Sequence, residues 1–271
     1  MNLSEVTNLK PIILICSCDR TSDVALHMLT SVSKYTSIND FKSYIGCDLS
    51  KDFPDINIIE TPPSNWKKET IFQLKKIKEH QSENPFVLIL LDDFVLNKKV
   101  DSKCLRDILN EIYKKDIKYL VLKPTYENIF YKLKNYYSSK KLFNGLNYFP
   151  IRINHPYYYS LQSAFWDIDY LIESIERSEN IWNFETLSYT GVKHYSLTTT
   201  ILSYRHIVEK GKWDFGTKKY CEKYIGFFNP GDREFRKFTI SIFLKHFLSK
   251  YILFPIFGYF FLRLRNSKIN S

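Results

Sequence analysis

The stretch FVLILLDDF (residues 86–94) decides how this chain reads. Six apolar residues run without a break, Pro85 stands before them, and two adjacent carboxylates, Asp92 and Asp93, end the run. Six residues are too few for an ordinary helix, and continuous rather than alternating hydrophobicity predicts a strand buried on both faces. PIILIC (11–16) has the same character and runs into the polar turn SCDRTSD (17–23). Further strands are predicted over residues 41–46, 56–59 and 118–123. Amphipathic stretches lie between them at 23–35, 65–80 and 102–114. The second has Ser64 or Asn65 as its cap and Ile71, Leu74 and Ile77 on its apolar stripe. Strands alternating with helices predict the α/β class, as a single domain with a mostly parallel sheet flanked by helices.

Composition narrows the function classes. At 271 residues, 44% hydrophobic and 25% charged, the chain is neither intrinsically disordered nor collagen-like nor a disulfide scaffold. Its five cysteines, Cys16, Cys18, Cys47, Cys104 and Cys221, are an odd number without CxxC spacing, which predicts thiols in a reducing compartment. Cys16 and Cys18 have no His or Cys pair at zinc spacing to complete a metal site. MNLSEVTNLK has no apolar core of a secretory signal, so none is expected.

The net charge of +10 is uneven. Residues 233–271 carry eight Lys or Arg against one acid, Glu234, leaving about +3 for residues 1–232. A nucleic-acid binder more often spreads basic residues over its folded body, so no nucleic-acid partner is expected. The basic tail is also rich in Phe, Ile and Leu. Its longest apolar run, residues 251–262, is broken by Pro255 and Gly258 and falls short of the about 20 residues that span a bilayer. The expectation is a folded domain over 1–232 and, over 233–271, an amphipathic helical tail lying on an anionic membrane surface. The competing expectation is that the apolar face of the tail packs on the protein's own core.

In open α/β sheets, ligands bind at the carboxyl ends of the strands. Two such ends carry chemistry here: Ser17-Cys18-Asp19-Arg20 and Asp92-Asp93. No GxGxxG or GxxxxGK[ST] loop is present to cradle phosphates, so a bound diphosphate needs another source of positive charge. Adjacent carboxylates leaving a buried strand repel one another and lose hydration. A Mg²⁺ or Mn²⁺ ion relieves both costs and bridges to phosphate oxygens. The competing reading is a strand-to-turn junction in which one aspartate caps the turn. Further along, Glu179 and Glu185 bracket Trp182 and Phe184, a setting that suits a general base or a ligand for sugar hydroxyls. Tyr157–Tyr159, Trp166 and Trp182 have flat faces that suit stacking on sugar rings, or they form core.

The order SNW (64–66), LLDDF (90–94), YYYSLQSAFW (157–166), ENIWNFE (179–185) and KGKWD (210–214) resembles bacterial glycosyltransferases of the GT-A fold from capsule and O-antigen clusters. The resemblance covers roughly residues 10–215. It implies a nucleoside-diphosphate sugar donor, a divalent metal and a saccharide acceptor, often lipid-linked. It also implies an enzyme in the cytoplasm, peripheral on the inner face of the cell membrane. Asp93 and Asp92 stand where the family's metal-binding pair stands, although D-D-F is not a strict D-x-D. Ser17, Asp19, Arg20, Asp48, Trp66, Asp92, Ser160 and Gln162 are the implied donor-binding residues. Tyr159, Trp166 and Trp182 would receive the acceptor, and Glu185, then Glu179, would serve as base. His194 and His206 are possible further metal ligands, and Lys210, Lys212 and Trp213 lie on a segment that could close over the donor. Inverting and retaining chemistry both stay open. A metal-dependent nuclease or a non-catalytic, transferase-like interaction subunit would be the alternatives.

Overall fold

The computed structural model describes residues 9–237 apart from 18–20, 38–39, 47–55, 63, 82, 125–137, 144, 153–157 and 187–190. The chain begins with β1 (Ile12–Cys16), α1 (Ser22–Tyr35), β2 (Lys42–Ile45), β3 (Asn57–Ile58) and α2 (Trp66–His80). It continues through β4 (Phe86–Leu91), β5 (Phe94–Leu96), α3 (Ser102–Lys114), β6 (Tyr119–Val121), β7 (Lys140–Phe143) and β8 (Leu146–Pro150). β9 (Ala164–Asp167) leads into α4 (Ile168–Glu176) and the short α5 (Ile181–Thr186). β10 (Tyr195–Leu197), β11 (Tyr204–His206), β12 (Val208–Glu209), β13 (Lys212–Trp213) and α6 (Thr217–Ile225) follow.

Among the described residues nine strands form one sheet in the order β3-β2-β1-β4-β9-β6-β10-β8-β7. The pairs β1–β2, β1–β4, β2–β3 and β6–β10 are parallel. β9 runs antiparallel between β4 and β6, and β8 runs antiparallel between β10 and β7. The sheet is therefore mixed, with most strands pointing one way. The expectation of a mostly parallel sheet holds for strand direction but missed the reversed strand at its centre.

Alternation along the buried strands splits the core in two. Ile13 and Ile15 of β1 with Leu88 and Leu90 of β4 meet Met28, Leu29 and Val32 of α1 and Ile108, Leu109 and Ile112 of α3. Ile12, Leu14, Val87 and Ile89 face the other way, against Leu74 and Ile77 of α2 and Leu171 and Ile175 of α4. Each fully buried Ile or Leu contributes about 1.5–3 kcal/mol, so a strand apolar on both sides holds a helix layer on each. Helix starts follow their side chains. The carboxamide of Asn65 accepts from Lys68 N, Asp101 from Cys104 N and Asp167 from Tyr170 N, each satisfying an otherwise unpaired donor. Of the predicted stripe on α2, Leu74 and Ile77 are buried, while Ile71 is only partly so.

At Asp92 the chain turns out of the main sheet. β5 pairs with β11 instead, Phe94 opposite His206, in a separate two-stranded ribbon. A third cluster of Val24, Val95, Ile207, Trp213, Cys221 and Ile225 fills the space between α1, this ribbon and α6. Of the tail expected over 233–271, residues 233–237 are described and sit against the body. The expected helix beyond them lies outside the described residues, among which no helix is long and apolar enough to cross a membrane.

Candidate active site

The corner between β4 and β5 places both aspartates at the carboxyl edge of the sheet. Asp92 N donates to Cys16 O at 3.2 Å, extending the β1–β4 ladder by one bond. This brings the residue after β1 alongside, and Ser17 Oγ donates to Asp92 Oδ2 at 3.0 Å. Ser17 Oγ also lies 3.2 Å from Thr21 Oγ1, at the start of α1. Burial raises the Asp92 pKa to about 6, opposed by hydrogen bonds from Thr21 and Ser17 and reinforced by the neighbouring charge of Asp93. Asp93 turns toward the ribbon, where its Oδ2 accepts from His206 Nδ1 at 3.2 Å and its carbonyl accepts from Ile207 N at 3.0 Å. His206 packs edge-on against Phe94, which stacks on Tyr204 at 4.2 Å between ring centres.

The chemistry of this donor set fits a hard divalent cation. Asp92, Asp93 and the Ser17 hydroxyl would offer such an ion oxygen atoms. Among the described residues no group of three or more His, Cys, Asp or Glu is arranged to enclose an ion. A magnesium-type ion commonly takes one or two carboxylates and completes its shell with water and substrate phosphate, so an open site is consistent with that use.

Across β9 lies a second set. β9 pairs with β4 from Ala164, opposite Ile89, onward, and half-buried Gln162 lies two residues before that strand. Ser160 is buried, its hydroxyl accepting from Gln162 N at 3.2 Å and its carbonyl from Tyr119 Oη at 3.2 Å. Burial holds the Tyr119 pKa well above its ordinary value, and the negative charge of Glu185, half-buried on α5, adds to this. Trp66, at the start of α2, packs on Phe184 with ring centres 5.7 Å apart. Lys67 caps the end of α4 through the carbonyls of Glu176 (2.6 Å) and Ser178 (3.0 Å). Glu179 is exposed and accepts from Asn183 Nδ2 at 3.1 Å.

Several expectations are corrected. Trp166 and Tyr159 are buried in an aromatic core with Tyr119, Tyr170 and His194, so neither ring face is open to a sugar. His194 is locked there as a neutral ring. Its Nδ1 donates to Tyr158 O at 2.7 Å and its Nε2 accepts from Tyr170 Oη at 2.7 Å, which leaves no nitrogen for a metal. Trp213 is fully buried within the β12–β13 hairpin, so it is core rather than part of a segment free to close. Asp19, Arg20 and Asp48 lie outside the described residues, as does the side chain of Trp182. The structure also adds groups that the sequence did not single out, Thr21 beside Ser17 and Arg233, whose positive charge acts on Asp92. A cavity of about 580 Å³ lies elsewhere, against β2, β3 and α2 between Tyr44, Ile58, Phe72 and Lys76, and none of the site residues lines it.

No family model and no curated protein sequence matches the chain. Among solved structures it is similar to residues 1–349 of S. aureus TarS in complex with UDP-GlcNAc. The TM-score is 0.46 at 14% identity, with 76% of this chain and 60% of that chain covered. The same protein in complex with UDP gives 0.42 at 16% identity, covering 79% and 64%. A cytidylyltransferase from Leptospira borgpetersenii serovar Hardjo-bovis gives 0.36 at 14% identity, covering 97% and 96%. The chain spans 37% of a longer TarS structure and 60% of TarS 1–349. Likeness at this level describes a general chain path and identifies no family.

Proposed function

We propose that this chain is a metal-dependent glycosyltransferase with a GT-A-like catalytic domain, which moves a sugar from a nucleoside-diphosphate donor to a saccharide acceptor. The observation that carries the reading is the Ser17–Asp92 bond, with Asp93 beside it, at the carboxyl ends of the neighbouring parallel strands β1 and β4. That edge is where open α/β sheets receive their ligands. A donor diphosphate and a carboxylate pair repel each other unless a cation lies between them. Asp92 and Asp93 would hold a Mg²⁺ or Mn²⁺ ion, which when bound neutralises charge building on the departing diphosphate. Ser17 keeps Asp92 oriented by its hydrogen bond. Half-buried Glu185 is the acceptor-side base if the reaction inverts, and Gln162 borders the sugar. The acceptor is a lipid-linked saccharide of surface polysaccharide synthesis, of the capsule or O-antigen kind. The basic, apolar tail holds the enzyme on the inner face of the membrane, where such an acceptor resides.

The test is a thermal-shift panel of nucleotide sugars with and without Mn²⁺, on the native chain and on Asp93→Ala. One nucleotide class should stabilise the native chain only with Mn²⁺, and Asp93→Ala should abolish that response and lower transfer by about 10²-fold or more. A flat response to every donor removes the proposal.

A further inference from the structure

The last described residues are stitched to the body. Residues 226–237 cross α1, where Asn229 N donates to Nε2 of buried His27 at 3.1 Å and His27 Nδ1 donates to Asp23 O at 2.8 Å. Buried Trp213 donates its indole N–H to Pro230 O at 2.9 Å. Trp213 N donates to Glu234 O and Arg236 N to Trp213 O, both at 2.9 Å, which lays Phe235 beside Trp213 as a parallel bridge. Arg233 turns back from this strap toward α1. Its Nε and Nη2 donate to the two oxygens of Asp23 at 2.8 and 2.9 Å, and its Nη1 donates to Gly211 O at 2.8 Å. The guanidinium also sits 5.6 Å from the centre of the Trp213 ring. With side-chain exposures of 14% for Arg233 and 23% for Asp23, the pair is sheltered, and its two parallel bonds suit the planar fork of arginine.

Asp23 lies in the first turn of α1, two residues after Thr21. Thr21 touches Ser17, and Ser17 holds Asp92. One ion pair therefore joins the C-terminal strap to the turn that presents hydroxyls to the candidate metal pair. We propose that Arg233 is a positioning residue of the donor site, its two bonds to Asp23 setting the first turn of α1 so that Ser17 and Thr21 hold Asp92 in place. The inference rests on the transferase reading and extends it. Residues 233–237, which composition assigns to the tail, belong to the catalytic unit.

The experiment uses the full chain and measures binding of UDP, GDP, CDP and dTDP, each with Mn²⁺, well below the melting temperature of every variant. In Arg233→Ala, Arg233→Gln and Asp23→Asn the affinity for the responding nucleotide should fall at least about tenfold. Arg233→Lys, which keeps the charge but not the paired bonds, should lose less. The reciprocal double variant, Asp23→Arg with Arg233→Asp, should recover to within about threefold of native, because the effect passes through the pair. If Arg233→Ala does not fold, Arg233→Gln and Asp23→Asn carry the same comparison. Unchanged affinity with only a lowered melting temperature overturns the inference, since the pair would then serve folding alone. A folded double variant as weak as the single ones also overturns it, since Arg233 would then act on the ligand directly. Silence of the native chain toward all four nucleotides is a different result, removing the transferase reading and this inference with it.

Discussion

Single residues in this protein are set by neighbours distant in sequence. His194 is neutral because burial lowers its pKa from the ordinary 6.5 to about 4, while both ring nitrogens stay hydrogen-bonded. The unfolded chain takes up this proton below about 6.5 and the folded chain only near 4. The stability His194 contributes is therefore fully present above 6.5 and is lost as pH falls from 6.5 toward 4. Urea midpoints at about pH 7, 5 and 4 should drop with acid in the native chain and drop less in His194→Gln. Asp92 has the opposite sign, its pKa raised by burial to about 6 from 3.8. Its contribution is present below 3.8 and is lost as pH rises through about 6. Since a cation binds the ionised form, Mn²⁺ affinity should climb over the same interval, measured by titration calorimetry between about pH 5 and 7. A flat profile would show that Asp92 is not a ligand. Asp92 and Asp93 were legible in the sequence because they interrupt an apolar run. His206 was singled out as a metal ligand, but its place beside Asp93, 113 residues away, was not legible, nor was the pairing of Arg233 with Asp23 across 210 residues, because nothing local marks either partnership.

Elements with both an apolar period and a capping residue were the most legible. α3 spans Ser102–Lys114 as its pattern predicts, and α2 begins after Asn65, one of its two anticipated caps. Asn65→Ala removes the bond to Lys68 N, and the expected cost is about 1 kcal/mol, seen as a melting temperature lower by a few degrees. An unchanged melting temperature would mean that α2 owes its start to packing alone. β9 was not legible. Ala164–Asp167 is only four residues long, and its place between β4 and β6 depends on partners far away in the chain, such as Leu88 opposite Phe165 and Leu120 opposite the same residue. Its aromatic residues suggested a sugar platform, and the two-sided burial of a central strand made them core instead.

At the scale of the molecule, the charge map and the strap meet at one end of the chain. Residues 238–271 hold five Lys or Arg and no acid, whereas two of the three cations just before them have partners in the body, Arg233 with Asp23 and Arg236 with Asp214. A chain ending at Lys237 should lose binding to vesicles containing anionic lipid while keeping nucleotide binding, as read by sedimentation and thermal shift. An unchanged vesicle-bound fraction would remove the membrane role of the tail. A chain ending at Asp232 should lose nucleotide binding too, because Arg233 goes with it.

The α/β class, the spans of α1, α2 and α3, the buried parallel strands and the carboxylate corner could all be read from local order. Hydrophobic period and capping chemistry act between residues a few positions apart, and that information lies along the chain. The reversal of β9, the burial of Tyr159, Trp166 and Trp213, the neutral state of His194 and the meeting of Arg233 with the first turn of α1 could not. Those depend on which surfaces come together when two helix layers close on one sheet, and only the packed chain brings residues 200 positions apart within reach of a hydrogen bond.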